Sequence, residues 1–328
     1  MKKSFLTTFA VICITLFAMS QEPKEVFNPH GKPIIRVFSN FHTTFEDGAS
    51  RSAFELTRVY LGYEHFFSEN FSGTVIYDIG NPGIGKLQMT AFVKNAFLNY
   101  KIKKFSVDFG LIPTTQFKVQ ESFWGYRYLS KVFQDEYEFA SSADLGASVA
   151  YKFNDILSAD VALYNGEGYK KLQSDSIFKT ALGLTINPVK ELTFRGMVDF
   201  MGKDSSQITY AGFVGFKNEI FSLAAEYNYQ KNHLMADGKD YFGPSFYGTL
   251  NLTKKAKFFA RYDDLQSNTL SGKTENWNIA SDGKLFMAGF EYSPVSGIKL
   301  SPNYRGWKPA LDSKPFASTL MLNCEIKF

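Results

Sequence analysis

Alternation repeated along most of the chain is the feature that most constrains its fold. From Phe221 to Gln230, Phe221, Leu223, Ala225, Tyr227 and Tyr229 share one parity, while Ser222, Glu226, Asn228 and Gln230 share the other. From Ser318 to Phe328, Leu320, Leu322, Cys324, Ile326 and Phe328 oppose Thr319, Asn323, Glu325 and Lys327, with Met321 the one apolar exception. Side chains of a strand alternate between two faces, so each segment reads as a strand with an apolar face and a polar face. The same pattern recurs from Pro33–Phe41 onward, giving about 16 strands of roughly 9–11 residues, an even count and a length suited to crossing a bilayer at a tilt.

The connections carry a second rhythm. Ser-Glu-Asn, Lys103-Lys104, Asn154-Asp155, Pro188-Val189-Lys190, Asn218-Glu219, Thr253-Lys254 and Pro294 to Gly297 are short turns, and they fall on every second connection. Short turns at one end and long loops at the other are the pattern of a transmembrane antiparallel β-barrel, with the short turns periplasmic and the long loops external. A chain starting and ending on the periplasmic side predicts that the first and last connections are long. A closed barrel pairs every strand and leaves no open edge in lipid. A soluble sandwich or propeller would also alternate, but it does not explain this phasing.

Composition and the N-terminus point the same way. The chain is 45% hydrophobic and only 21% charged, with 34 Phe and 18 Tyr, an aromatic load suited to girdles at two membrane interfaces. Lys2 and Lys3, the apolar run Phe5 to Phe17 and the small-residue site Ala18-Met19-Ser20 read as a secretory signal peptide over residues 1–20, cut before Gln21. Residues 21–328 then form one barrel domain. Gln21 to Gly31 is too short for an N-terminal plug, which argues against a gated transporter.

Little in the chain suggests catalysis or a cofactor. Cys13 falls in the signal segment, which leaves Cys324 alone and excludes a disulfide framework. The four histidines, His30, His42, His65 and His233, have no metal-ligand spacing. Gly80-Asn-Pro-Gly-Ile-Gly-Lys86 imitates a phosphate-binding loop, but Leu87 stands where that chemistry needs Ser or Thr. No serine or aspartate forms a constellation with a histidine near a strand end. The expectation is a protein that is not an enzyme and holds no cofactor or metal. The net charge of +4 is scattered, so nucleic acid is not an expected partner.

The lumen is therefore the functional candidate. On the polar parity stand the cations Arg36, Arg58, Lys101, Arg195, Lys257, Arg261, Lys299 and Arg305, with acids such as Glu64, Asp78, Asp108, Asp160, Glu291 and Glu325. A barrel of this size can enclose water, and opposed charge rows across it filter solutes by size and charge. The connection 113–142 is the longest, and its aromatic density argues against disorder. It is a candidate constriction loop, with Lys118, Arg127 and Lys131 as cations and Glu121, Asp135 and Glu136 among its anions. The other reading packs its aromatics over the outer rim.

Three resemblances add to this. A chain ending on Phe328 after an alternating strand resembles bacterial outer-membrane barrels, in which the assembly machinery reads the last strand. General porins fold the loop after the fifth strand inward, and the 113–142 segment is similar in position and length. Asn95-Ala-Phe-Leu-Asn-Tyr, Phe109-Gly-Leu-Ile-Pro113, Tyr126-Arg-Tyr-Leu and Ala162-Leu-Tyr-Asn-Gly166 together resemble the phosphate-selective porin O and P family. That resemblance implies a 16-stranded channel, often a homotrimer, surrounded by membrane lipid and lipopolysaccharide. Basic and acidic lumen candidates are balanced here, unlike the basic ladder of that family's selective members, so no binding residue carries over. The expected function is a passive outer-membrane channel for ions and small hydrophilic solutes, anionic ones included. The alternative is a blocked barrel serving as an anchor or interaction protein.

Overall fold

The computed structural model describes residues 27–81, 89–202 and 205–328. The signal segment expected over 1–20, and most of the stretch 80–86, lie outside the described residues.

Sixteen antiparallel strands close into one barrel. They are β1 His30–Glu46, β2 Ala49–Phe66, β3 Phe71–Gly80, β4 Thr90–Ile102, β5 Phe105–Pro113, β6 Ala143–Lys152, β7 Leu157–Tyr164 and β8 Lys179–Val189. The second half is β9 Leu192–Gly202, β10 Ser206–Lys217, β11 Phe221–Lys231, β12 Tyr241–Asn251, β13 Ala256–Ser267, β14 Gly283–Tyr292, β15 Ile298–Pro309 and β16 Ala317–Lys327. Every strand pairs with its sequence neighbours, and β1 closes on β16 from Arg36 opposite Lys327 to Phe45 opposite Ser318. The Phe328 N–H donates to the Ile35 carbonyl at 3.2 Å and extends that seam.

The apolar parity faces outward: Leu61, Tyr63, Phe109, Leu223 and Phe290 are all exposed on the barrel's exterior. Among the described residues no helix is long and apolar enough to span a membrane, which says nothing of crossing by strands. The polar parity faces inward. Register shifts at Phe38/Ser39, Ile76/Tyr77 and Ile186/Val189 disturb that alternation locally.

The seven turns at one end are two to five residues long, as the phasing requires. At the other end run the long connections 114–142, 165–178 and 268–282. The first connection differs from expectation. It is the two-residue turn Asp47-Gly48, with φ of 49° and 73°. Positive φ at both positions gives the turn whose twist matches a hairpin, and Asp-Gly is a strong signal for it. What reads as a loop is strand: β1 and β2 run 17 and 18 residues, well beyond the roughly 9–11 expected.

Candidate functional site

The connection 114–142 enters the barrel. It carries two short helices, α1 Lys118–Trp124 and α2 Phe133–Glu136. Gly125, at φ 70°, ends α1 by donating its N–H to the Glu121 carbonyl at 2.9 Å; this left-handed cap suits glycine. Phe117, Trp124, Tyr126 and Tyr128 are buried with Phe213, Tyr247, Phe259 and Met287, which line the inner wall from β10 to β14. The wall makes room for this. A Cβ at Gly215 would collide with the Phe123 ring, and one at Gly243 would collide first with the Asp264 carbonyl of β13 and would also sit 2.8 Å from the Phe133 ring. Glycine inside a strand marks a close approach of this kind. Tyr128 also reaches the far wall, with its ring 6.3 Å from Phe38 of β1.

Polar bonds tie the segment down along its length. Near its start, the Thr115 N–H donates to the Tyr164 hydroxyl at 2.9 Å and Gln116 donates to Asp199 at 2.5 Å. Further along, Tyr128 donates to Glu291 at 3.1 Å and Tyr137 to Asp263 at 3.0 Å. Gln230 closes it by donating to the Phe139 carbonyl at 2.9 Å.

The inward cations divide into two groups. Arg195 and Arg261 face inward but are covered by the segment. Arg195 pairs with Asp160 at 2.7 Å and donates to the Thr115 carbonyl at 2.8 Å. Arg261 pairs with Asp263 at 2.7 Å, lies over the Trp124 ring and donates to the Lys131 carbonyl. These two hold the loop rather than face open lumen. Arg305 does likewise through Glu136, at 2.8 Å. The others meet the remaining lumen. Arg36 lies opposite Tyr60 and Lys327, Arg58 pairs with Asp78 at 3.1 Å, and Lys101 stands opposite Ser106 near the short-turn end. Lys257 and Lys299 approach Glu291 at 3.7 and 3.4 Å, and Lys299 also reaches Glu325 at 3.2 Å.

On the loop, Lys118 reaches Asp108 at 3.9 Å, whereas Arg127 and Lys131 share Asp135 at 3.6 and 3.8 Å. Burial pushes the Glu121 carboxyl up, with Lys94 and Arg127 opposing. Burial pushes Glu136 up too, but Arg305 outweighs it and holds the carboxyl down at about 2.

A chamber of about 390 Å³ opens beside the loop. It is lined by Arg58, Arg127, Lys131, Lys170, Lys171 and Lys179 against Asp135, Glu138, Glu167 and Asp175. Three of its neighbouring cations escape a reading by parity. Lys94 is the extra residue at the β3–β4 bulge, and its ammonium lies over the Tyr60 and Tyr169 rings. The doubled polar pair Lys94-Asn95 in an alternating strand was its one signal. Lys170 stands over the Phe92 and Tyr169 rings, from a connection with no periodicity. Lys179 is a buried inward residue of β8, with no ion pair among the described residues. No cluster of metal ligands occurs among the described residues.

A closed barrel of sixteen strands, apolar outside, with its longest connection folded into the lumen, defines the architecture of outer-membrane porins. Solved structures agree on the fold. The outer membrane channel DcaP of Acinetobacter baumannii is similar at TM-score 0.62 and 14% identity, over 94% of this chain and 100% of that one. The anion-selective porin from Comamonas acidovorans is similar at TM-score 0.64 and 11% identity, over 92% and 100%. OmpT of Vibrio cholerae in its trimer form is similar at TM-score 0.58 and 13% identity, over 91% and 99%. No family model matches the chain, and no curated relative matches it.

Proposed function

We propose that this chain is an outer-membrane porin for passive diffusion of ions and small hydrophilic solutes, and that it favours anions. The observation that carries the preference is the chamber beside the loop, where six cations face four acids. Its net charge is then +2, at the narrowing made by the loop, where a solute has least water to screen it. Arg127 and Lys131 of the loop, with Arg58 of the wall, form the selecting side. Glu121, Asp135 and Glu136 trim the field, and Lys118 with Asp108 continues the passage. Lys101, Lys257 and Lys299 extend the charge pattern toward the short-turn end, while Arg195, Arg261 and Arg305 act as anchors. The similar anion-selective porin from Comamonas acidovorans fits this reading.

The same reading makes residues 1–20 an export signal, the outward face a lipid and lipopolysaccharide contact, and the strand ending at Phe328 the mark for barrel assembly. A homotrimer fits too, since OmpT of Vibrio cholerae has a trimer form. Phosphate preference, the finer resemblance, rests on the loose motifs quoted above; competition by inorganic phosphate for chloride current is its test.

One observation favours a closed barrel instead. The loop's aromatic cluster extends from the β10–β14 wall to Phe38 and Tyr60 on the opposite side. Single-channel recording of the refolded protein in a planar bilayer decides between the two. Discrete steps with an anion-directed reversal potential support the porin; silence from a folded barrel supports the anchor.

A further inference from the structure

A second chamber lies at the long-loop end, on the other flank of the inserted segment, and its chemistry differs. It holds about 520 Å³, within the range of about 300–1,000 Å³ typical of small-ligand sites. Its walls are aromatic: Tyr137, Tyr241, Trp277 and Trp307. These rings come from four separate parts of the chain: the inserted loop, β12, β15 and the 268–282 connection. A Cβ at Gly283 would come within 2.5 Å of the Lys308 carbonyl and 2.7 Å of the Trp307 ring, so glycine lets both lie close. Trp277 is fixed by donating its indole N–H to the Asp240 carbonyl at 2.8 Å. The Trp307 indole N–H has no acceptor among the described residues, although the ring is only half-buried and faces the chamber.

Other polar groups there also have bonding capacity left. Arg305 spends one N–H on Glu136 out of the five a guanidinium carries. Asn278 and Ser281 line the same space, and the exposed Glu138 borders it. The charges largely cancel. Glu136 and Arg305 neutralise each other, and His233 is neutral because burial, with Lys179 and Lys239 nearby, pulls it down to about 4. This is the reverse of the cationic chamber beside it.

We propose that this alcove is a binding site for a neutral carbohydrate of one or two rings, reached from the long-loop end. A sugar ring has an apolar C–H face, which suits a flat indole, and an equator of hydroxyls that both donate and accept. The unspent Trp307 and Arg305 donors and the Glu138 carboxylate supply the matching partners. An inorganic anion would gain nothing from the rings. The inference does not depend on anion preference or on conduction, since binding is read without current.

The test uses maltose and glucose as probes on the refolded barrel, followed by intrinsic tryptophan fluorescence. The expected result is a saturable change at millimolar sugar, weakened by about tenfold or more in Trp307→Ala and less in Trp307→Phe, which keeps a flat ring and loses the donor. Trp307→Ala should keep the heat-resistant barrel mobility of the parent on a gel. No saturable response to either sugar up to about 100 mM, or an unaltered affinity in a folded Trp307→Ala, overturns the assignment. So does saturation by tetramethylammonium in place of sugar, which would make the alcove a cation cage.

Discussion

Reversing the charges of the inserted loop tests where solute passes. The beside-loop chamber is lined by six cations and four acids, a net +2. Replacing both Arg127 and Lys131 with Glu leaves four cations and six acids, a net −2. Four units of charge change at the narrowing. At about 10 Å in water one unit is worth about 0.4 kcal/mol, and screening at about 0.1 M salt leaves about 0.15 kcal/mol. Four units then move an anion and a cation in opposite directions by about 0.6 kcal/mol each, so the permeability ratio changes by about eightfold. The assay is the reversal potential across a bilayer in a potassium chloride gradient. The parent should favour chloride and the variant potassium, with Arg127→Gln plus Lys131→Gln between them. Both positions already share Asp135, so the gel mobility of the folded barrel must be checked alongside. An unchanged reversal potential from folded variants would refute the reasoning and put the loop's cations off the conducting path.

Trp124→Ala should undock the loop without unfolding the barrel. The ring is almost fully buried against Tyr247 and Phe259, so loop docking loses about 3–5 kcal/mol. Larger, noisier single-channel steps are the expected readout. Burial has raised the pKa of Glu121, so acidification should neutralise it at a higher pH than a free carboxylate and shift selectivity toward chloride. Glu136 runs the other way. Its lowered pKa makes its contribution complete above about pH 4.3 and lost only as pH falls through about 2, so the Arg305 latch should survive to pH 4 by loop proteolysis. Proton NMR should place the His233 titration near 4, well below an exposed histidine.

The fold was legible because a barrel repeats one rule sixteen times. Parity assigned the inward face of Arg58 and Glu64 and the outward face of Leu61 and Tyr63, since membrane and lumen each impose a single chemistry. The rule failed where backbone geometry breaks it. Asp47-Gly48 let β1 and β2 continue where a loop was expected, and the Ile76/Tyr77 bulge turned Lys94 inward out of step. The candidate site was legible only in part. Length and aromatic density singled out the 113–142 connection. Which wall it leans on depends on register between distant strands. Gly215 and Gly243 mark that wall, but a strand glycine has several uses until the ring that fills its space is known.

Inward direction also proves to be a weaker statement than access to solute. Arg58 and Arg261 both sit on the inward parity. Arg58 borders the cationic chamber, while Arg261 lies beneath Trp124 and bonds the Lys131 carbonyl. The difference arises from the inserted segment, which packs over Arg261 and leaves Arg58 at the edge of a chamber. Substitutions at the two positions should therefore separate. Arg261→Gln removes a buried partner of Asp263 and should loosen the loop as Trp124→Ala does, because an unpaired buried charge is costly. Arg58→Gln, which unpairs Asp78 of the neighbouring strand instead of a group under the inserted segment, should leave that segment in place and shift the reversal potential. If Arg261→Gln moved the potential while the step size and loop proteolysis stayed at parent values, the distinction between Arg58 and Arg261 would fail.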